Sequence, residues 1–89
     1  MSDAESVTRA VTLACRNGLH LTPITALVKK ASGFSSDIRI RFNHKVANAK
    51  SAMDLMLLGA TCGAVLHVEA TGEDAADAID AVDTVLSQE

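Results

Sequence analysis

The segment Asn17-Gly18-Leu19-His20-Leu21-Thr22-Pro23 brings a histidine out of a turn and into the start of a helix. Asn-Gly breaks the chain, and Pro23 fits a first helical turn, where its missing N–H leaves no bond unmade. His20 therefore sits at or beside the N-cap, close to unpaired backbone N–H groups and to the positive end of the helix dipole. A neutral imidazole is a nucleophile. A phosphoryl group placed on it would meet the amides around Leu21 and Thr22. The same spacing also suits a histidine that only caps the helix or fills the turn.

The other residue types capable of chemistry are scattered. Cys15 and Cys62 lack the CxxC spacing of a metal or redox site, and read as two reduced, partly buried thiols behaving as small hydrophobes. His44 in a turn and His67 on the polar side of a strand should face solvent, without matching ligands nearby, so neither a metal nor any other cofactor is expected. Glu73, Asp74 and Asp77 cluster at the start of a helix and read as solvated partners of its dipole.

Seven elements must position the histidine. Residues 7–14 alternate as a strand; the spacing of Leu21, Ile24, Leu27 or Val28, and Ala31 predicts a helix stopped by Gly33. Residues 38–42 alternate again, Asn43-His44-Lys45 turns the chain, and 46–49 form a short strand. Residues 50–58 make a short helix closed by Gly59, 64–70 a fourth strand, and the stripe Ala75, Ala78, Ile79, Val82, Val85, Leu86 a last helix. The order βαββαβα with alternating strands predicts an α+β open-faced sandwich: a four-stranded antiparallel sheet with three helices on one face. On the short helix, Leu55 and Leu58 should face the sheet. That would leave Met53 and Met56 exposed beside His20 as an adaptable docking surface, with core filling as the alternative. Lys29 and its neighbour Lys30 would meet an acidic partner or form a solvated helix face.

At 89 residues, 48% of them hydrophobic, the chain suits one small domain that encloses no deep pocket, which favours a carrier or adaptor over an enzyme. Eight Lys and Arg against eleven Asp and Glu give no basic stripe, and two Phe without Trp or Tyr give no stacking platform, so nucleic acid is not an expected partner. Residues 1–6 are polar and acidic, and no run approaches the roughly 20 apolar residues of a membrane span. A cytoplasmic protein without membrane contact is expected, with only the first six and last few residues frayed.

Taken together, Asn-Gly-Leu-His-x-x-Pro, the run Asn48-Ala49-Lys50-Ser51 before a short helix, Leu58-Gly59, and Gly72-Glu73-Asp74 after a strand resemble the HPr phosphocarriers of the phosphoenolpyruvate-dependent phosphotransferase system. The resemblance runs over residues 7–86 and implies one HPr-like domain across 1–89, with an ordered core at about 7–86. It implies the same open-faced sandwich, and a phosphohistidine at His20 that is filled by enzyme I and emptied by enzyme IIA-type proteins. Ser51 matches the position at which an HPr-type serine kinase regulates many members, and it is also a natural N-cap; the two roles are compatible. One residue departs from the pattern. The family usually has arginine two positions after the histidine, where this chain has Thr22. A guanidinium gives charge and a fork of donors; Thr22 gives one hydroxyl, leaving Arg16 or a partner's arginine to supply the charge. The alternative reading is a regulatory binding module that keeps the fold but transfers phosphate weakly or not at all.

Overall fold

Alternating burial along the strands fixes one wet face and one buried face of the sheet. The computed structural model describes residues 6–88. The elements are β1 (Ser6–Thr12), α1 (Leu21–Ala31), β2 (Asp37–Phe42), β3 (Lys45–Asn48), α2 (Ala52–Leu58), β4 (Val65–Thr71) and α3 (Ala75–Ser87), the expected order. They build one four-stranded sheet, β1-β4-β2-β3, in which every pairing is antiparallel. Val11, Ile38, Ile40, Ala47, Leu66, Val68 and Ala70 point inward and are buried under the helices. The open face carries the cross-strand rows Thr8, Glu69, Arg39, Asn48 and Ala10, His67, Arg41, Val46. His67 and His44 are both exposed, as expected.

The helices bury apolar stripes: Ile24, Leu27 and Ala31 on α1; Leu55 and Leu58 on α2; Ala75, Ala78, Ile79, Val82 and Leu86 on α3. Each fully covered Leu or Ile contributes about 1.5–3 kcal/mol relative to an exposed one. Leu21, which the helical spacing places on the stripe, is instead exposed: it is the first helical residue and overhangs the end of the core. Ser6, expected to fray, pairs with Thr71 and opens β1, and α3 runs on to Ser87. For residues 1–5 and 89, the expectation of fraying lies outside the described residues.

Two tertiary ties were not foreseen. Arg9 shares the inward side of edge strand β1 with Val11 and reaches α3, at 2.9 Å from Asp80 and 3.0 Å from Asp83. Asp74 is the N-cap residue of α3, yet its carboxylate makes no bond to its own helix. It accepts instead from Ser35 N and Ser36 N, each at 2.9 Å, and from the Ser36 hydroxyl. So Asp74 clamps the α1–β2 loop to the start of α3, rather than acting as a solvated dipole partner. Gly72 permits this approach, because its φ is +148° and a Cβ there would lie 2.5 Å from Ser36 Oγ.

The bonds from the Ser36 hydroxyl and the Ser35 amide hold the Asp74 carboxyl down at about 2, against an ordinary 3.8. A carboxylate lowered on folding stabilises the fold above its ordinary value and loses that contribution as the pH falls toward the folded value. Wild type should therefore lose thermal stability between pH 4 and 2 more steeply than Asp74→Asn, which should melt several degrees lower at pH 7. Melting curves followed by circular dichroism across that range check both expectations.

Candidate phosphorylation site

The turn that carries His20 is built from a backbone bond of its own and from bonds to two other parts of the chain. Ala14 N donates to Leu86 O at 2.9 Å, Gly18 N closes a turn on Cys15 O at 2.9 Å, and Leu19 N donates to Ala60 O at 3.0 Å. Leu19 is buried and anchors the turn, so the next residue emerges at the surface. Gly18 has φ +76°, and a Cβ on it would lie 2.8 Å from Ala60 O and 3.1 Å from Thr61 Cα. Only glycine lets the 60–62 backbone come this close.

His20 is exposed and is the N-cap residue of α1, in extended backbone conformation, and its ring makes no capping bond. Its amide donates to Gly18 O at 3.1 Å, and its carbonyl accepts from Ile24 N at 2.9 Å, which starts the helix. Among the described residues, the amides of Leu21 and Thr22 have no partner, as the first donors of a helix do not. An exposed ring thus stands beside two free N–H groups at the positive end of α1, an arrangement that can hold an anion on the ring.

Arg16, His20 and Thr22 line one shallow depression of about 260 Å³, together with Cys15, Asn17, Pro23, Ala26, Val85 and Gln88. That is ample room for a phosphoryl group, yet below the usual range for a small-molecule pocket. Arg16 is its only Lys or Arg. Of the lining residues, Val85 comes from α3 and Gln88 caps its C-terminus, and nothing near His20 in sequence signals them.

Met53 and Met56 are 72% and 61% exposed, and Leu55 and Leu58 are buried, as the periodicity of α2 required. Leu57 and Leu21, each 70% exposed, extend the apolar surface. Leu57 was overlooked, although it stands four residues from Met53 and so shares its face. Helices α1 and α2 are in contact with each other. Lys29 lies elsewhere: with Lys30 it lines a groove between α1 and α3, closed by Thr84, Val85 and Gln88. Ser51 caps α2, its hydroxyl accepting from Asp54 N at 3.3 Å. Lys50 Nζ donates to Phe34 O at 2.8 Å, which ties the start of α2 to the α1–β2 loop. Cys15 is buried, but Cys62, expected to be partly buried, is exposed, because it falls in the turn that precedes β4. Among the described residues, no group of His, Cys, Asp or Glu could hold a metal ion, and no helix is long and apolar enough to cross a membrane.

The family described as the PTS HPr component phosphorylation site matches residues 7–88. Solved structures agree. The phosphocarrier protein HPr of Bacillus anthracis is 32% identical, with 91% of this chain and 96% of that one covered and a TM-score of 0.88. The histidine-containing phosphocarrier protein of Mycoplasma is 36% identical over 93% of this chain and all of that one, at 0.83. Crh, the catabolite repression HPr of Bacillus subtilis, is 31% identical over 93% of this chain and 99% of that one, at 0.70. The chain belongs to the HPr family of the phosphotransferase system. Its role is that of a phosphocarrier, a protein that is itself phosphorylated rather than a catalyst.

Proposed function

We propose that His20 is the phosphorylated residue, that it receives its phosphoryl group from enzyme I and that it yields the group to enzyme IIA-type proteins in the cytoplasm. The observation that carries this reading is an exposed imidazole at the start of α1 beside the unpartnered amides of Leu21 and Thr22. In transfer, a ring nitrogen attacks phosphorus, the bond to the donor breaks, and three equatorial oxygens carry the charge. The two amides and the helix dipole meet that charge, with Arg16 in the same depression. Partners dock on the surface of Met53, Met56, Leu21 and Leu57, with Lys29 placed to reach acidic groups from the α1–α3 side. The experiment is incubation with enzyme I and phosphoenolpyruvate, read by intact mass. An adduct lost in acid and kept in base supports phosphohistidine, and an unlabelled protein refutes it.

A second reading, a regulatory binding module that transfers phosphate weakly, is favoured by Thr22 and by the likeness to the catabolite repression HPr. The single-turnover rate from phosphorylated enzyme I separates the two. Restoring the guanidinium should speed transfer, because a charge-assisted hydrogen bond contributes about twice what a neutral one does. For Thr22→Arg the expected gain is on the order of tenfold in rate. No gain would mean that Arg16 or a partner's arginine already supplies the charge.

Ser51 is proposed as a regulatory site for an HPr-type serine kinase, with its capping role retained. A phosphate there would bring negative charge beside Asp54 and into the docking surface of Met53 and Met56, which binding must desolvate. Ser51→Asp should bind enzyme I several-fold more weakly by calorimetry; equal affinity would leave Ser51 as a cap alone.

A further inference from the structure

The phosphocarrier role uses neither of the two cysteines. Cys15 is buried and Cys62 exposed, yet two sets of backbone bonds hold them in neighbouring loops. Past the ends of β1 and β4 the pairing continues: Leu13 N donates to Ala64 O, and Gly63 N donates to Leu13 O, both at 2.8 Å. Cys62 thus adjoins a residue bonded to Leu13, and Cys15 lies two positions along the facing chain. On the other side, Gly18 N donates to Cys15 O at 2.9 Å, and the Cβ position of Gly18 is 3.6 Å from Cys62 N. Burial raises the Cys15 thiol above its usual range, and negative charge at Cys62 adds to the effect, so the two sulfurs feel each other's field. Cys15 Sγ contacts Gln88 O at 3.6 Å, and its side chain forms part of the wall of the depression that holds His20.

We propose that Cys15 and Cys62 are a thiol pair that hydrogen peroxide converts to an intramolecular disulfide, and that this bond slows phosphoryl acceptance at His20. Its second half rests on the phosphohistidine reading. Exposed Cys62 meets the oxidant first. Its thiolate attacks one peroxide oxygen, the O–O bond breaks, and hydroxide leaves as water after taking a proton; Cys62 becomes a sulfenic acid. The Cys15 thiolate then attacks Cys62 Sγ, the S–O bond breaks, and a second hydroxide leaves as water. Two thiols have lost two electrons and two protons, and one peroxide has become two waters. The new bond draws Cys15 off Gln88 O and shifts the turn from Cys15 to Gly18, whose carbonyl holds the His20 amide at 3.1 Å.

The test uses the full reduced chain. After peroxide, the wild-type monomer should lose the mass of two hydrogen atoms and both maleimide-reactive thiols. Cys15→Ser should instead yield a sulfenic acid at Cys62, trapped by dimedone. Oxidised wild type should accept phosphate from enzyme I on the order of tenfold more slowly than reduced wild type, with recovery in dithiothreitol. Cys62→Ser should transfer equally well before and after peroxide. A monomer that keeps two free thiols, or cross-links only between chains, overturns the disulfide. A disulfide that leaves the transfer rate unchanged overturns the switch. Reduced protein that takes no label overturns the phosphohistidine reading and the switch with it, while the mass change still decides the disulfide.

Discussion

His20→Ala is expected to take no phosphoryl group from enzyme I while keeping the fold of the wild type. The ring makes no capping bond and is exposed, so its removal opens no cavity and leaves no buried donor unpaired. The stability change should stay within about 0.5 kcal/mol, as for surface substitutions generally. Loss of label can then be read as loss of the nucleophile. His44 stands in the β2–β3 turn and His67 on the open sheet face. Neither stands at a helix N-terminus. Labelling by phosphoenolpyruvate and enzyme I, followed by peptide mapping, checks the assignment: label that persists in His20→Ala, or that maps to His44 or His67, would show that the nucleophile lies elsewhere.

Gly18→Ala should damage both stability and transfer. The new Cβ would be forced against the Ala60 carbonyl and Thr61 Cα, which are backbone atoms that cannot swing aside, at a φ of +76° that alanine rarely adopts. A non-glycine residue held in that region costs about 1–3 kcal/mol before any clash is counted. For a domain of this size that means a melting temperature lower by roughly 10 °C. Relief would come from moving the turn away from residues 60–62, which also moves the carbonyl holding His20 N. Initial phosphorylation rates well below the variant's melting point should fall on the order of tenfold. A variant that melts lower but loads at the wild-type rate would mean that the turn positions His20 without its contact to residues 60–62.

What the sequence made visible was local. Asn17-Gly18 and Pro23 punctuate the chain on both sides of His20, and period-two and helical spacings mark each strand and helix, because these depend on neighbours a few residues away. The inward and outward sides of β2 and β4 and the buried pair Leu55 and Leu58 follow directly from such spacing. What stayed hidden depends on the fold as a whole. Asp74 reads as one more acid near a helix start, because its partners Ser35 and Ser36 are 39 and 38 residues away. Arg9 gains its place from the edge position of β1 and the angle of α3, and the wall that Val85 and Gln88 lend to the site comes from the same packing. Leu21 shows that helical phase alone cannot tell where the core ends: it is in step with Ile24 and Leu27 yet lies beyond the material that would cover it.

The bonds that shape the histidine turn also set when it can form. They come from Ala60, Gly63, Ala64 and Leu86, while among the described residues β1 has β4 as its only strand partner. Closing such a contact means ordering a segment of some tens of residues, an entropic cost that nearby contacts in α1 do not carry. During synthesis, α1 and the β2–β3 hairpin are complete long before β4 exists, and His20 then hangs on an unclosed loop. The turn therefore takes its final shape late and as a whole, and a chain truncated before Ala60 lacks the backbone bonds that shape it.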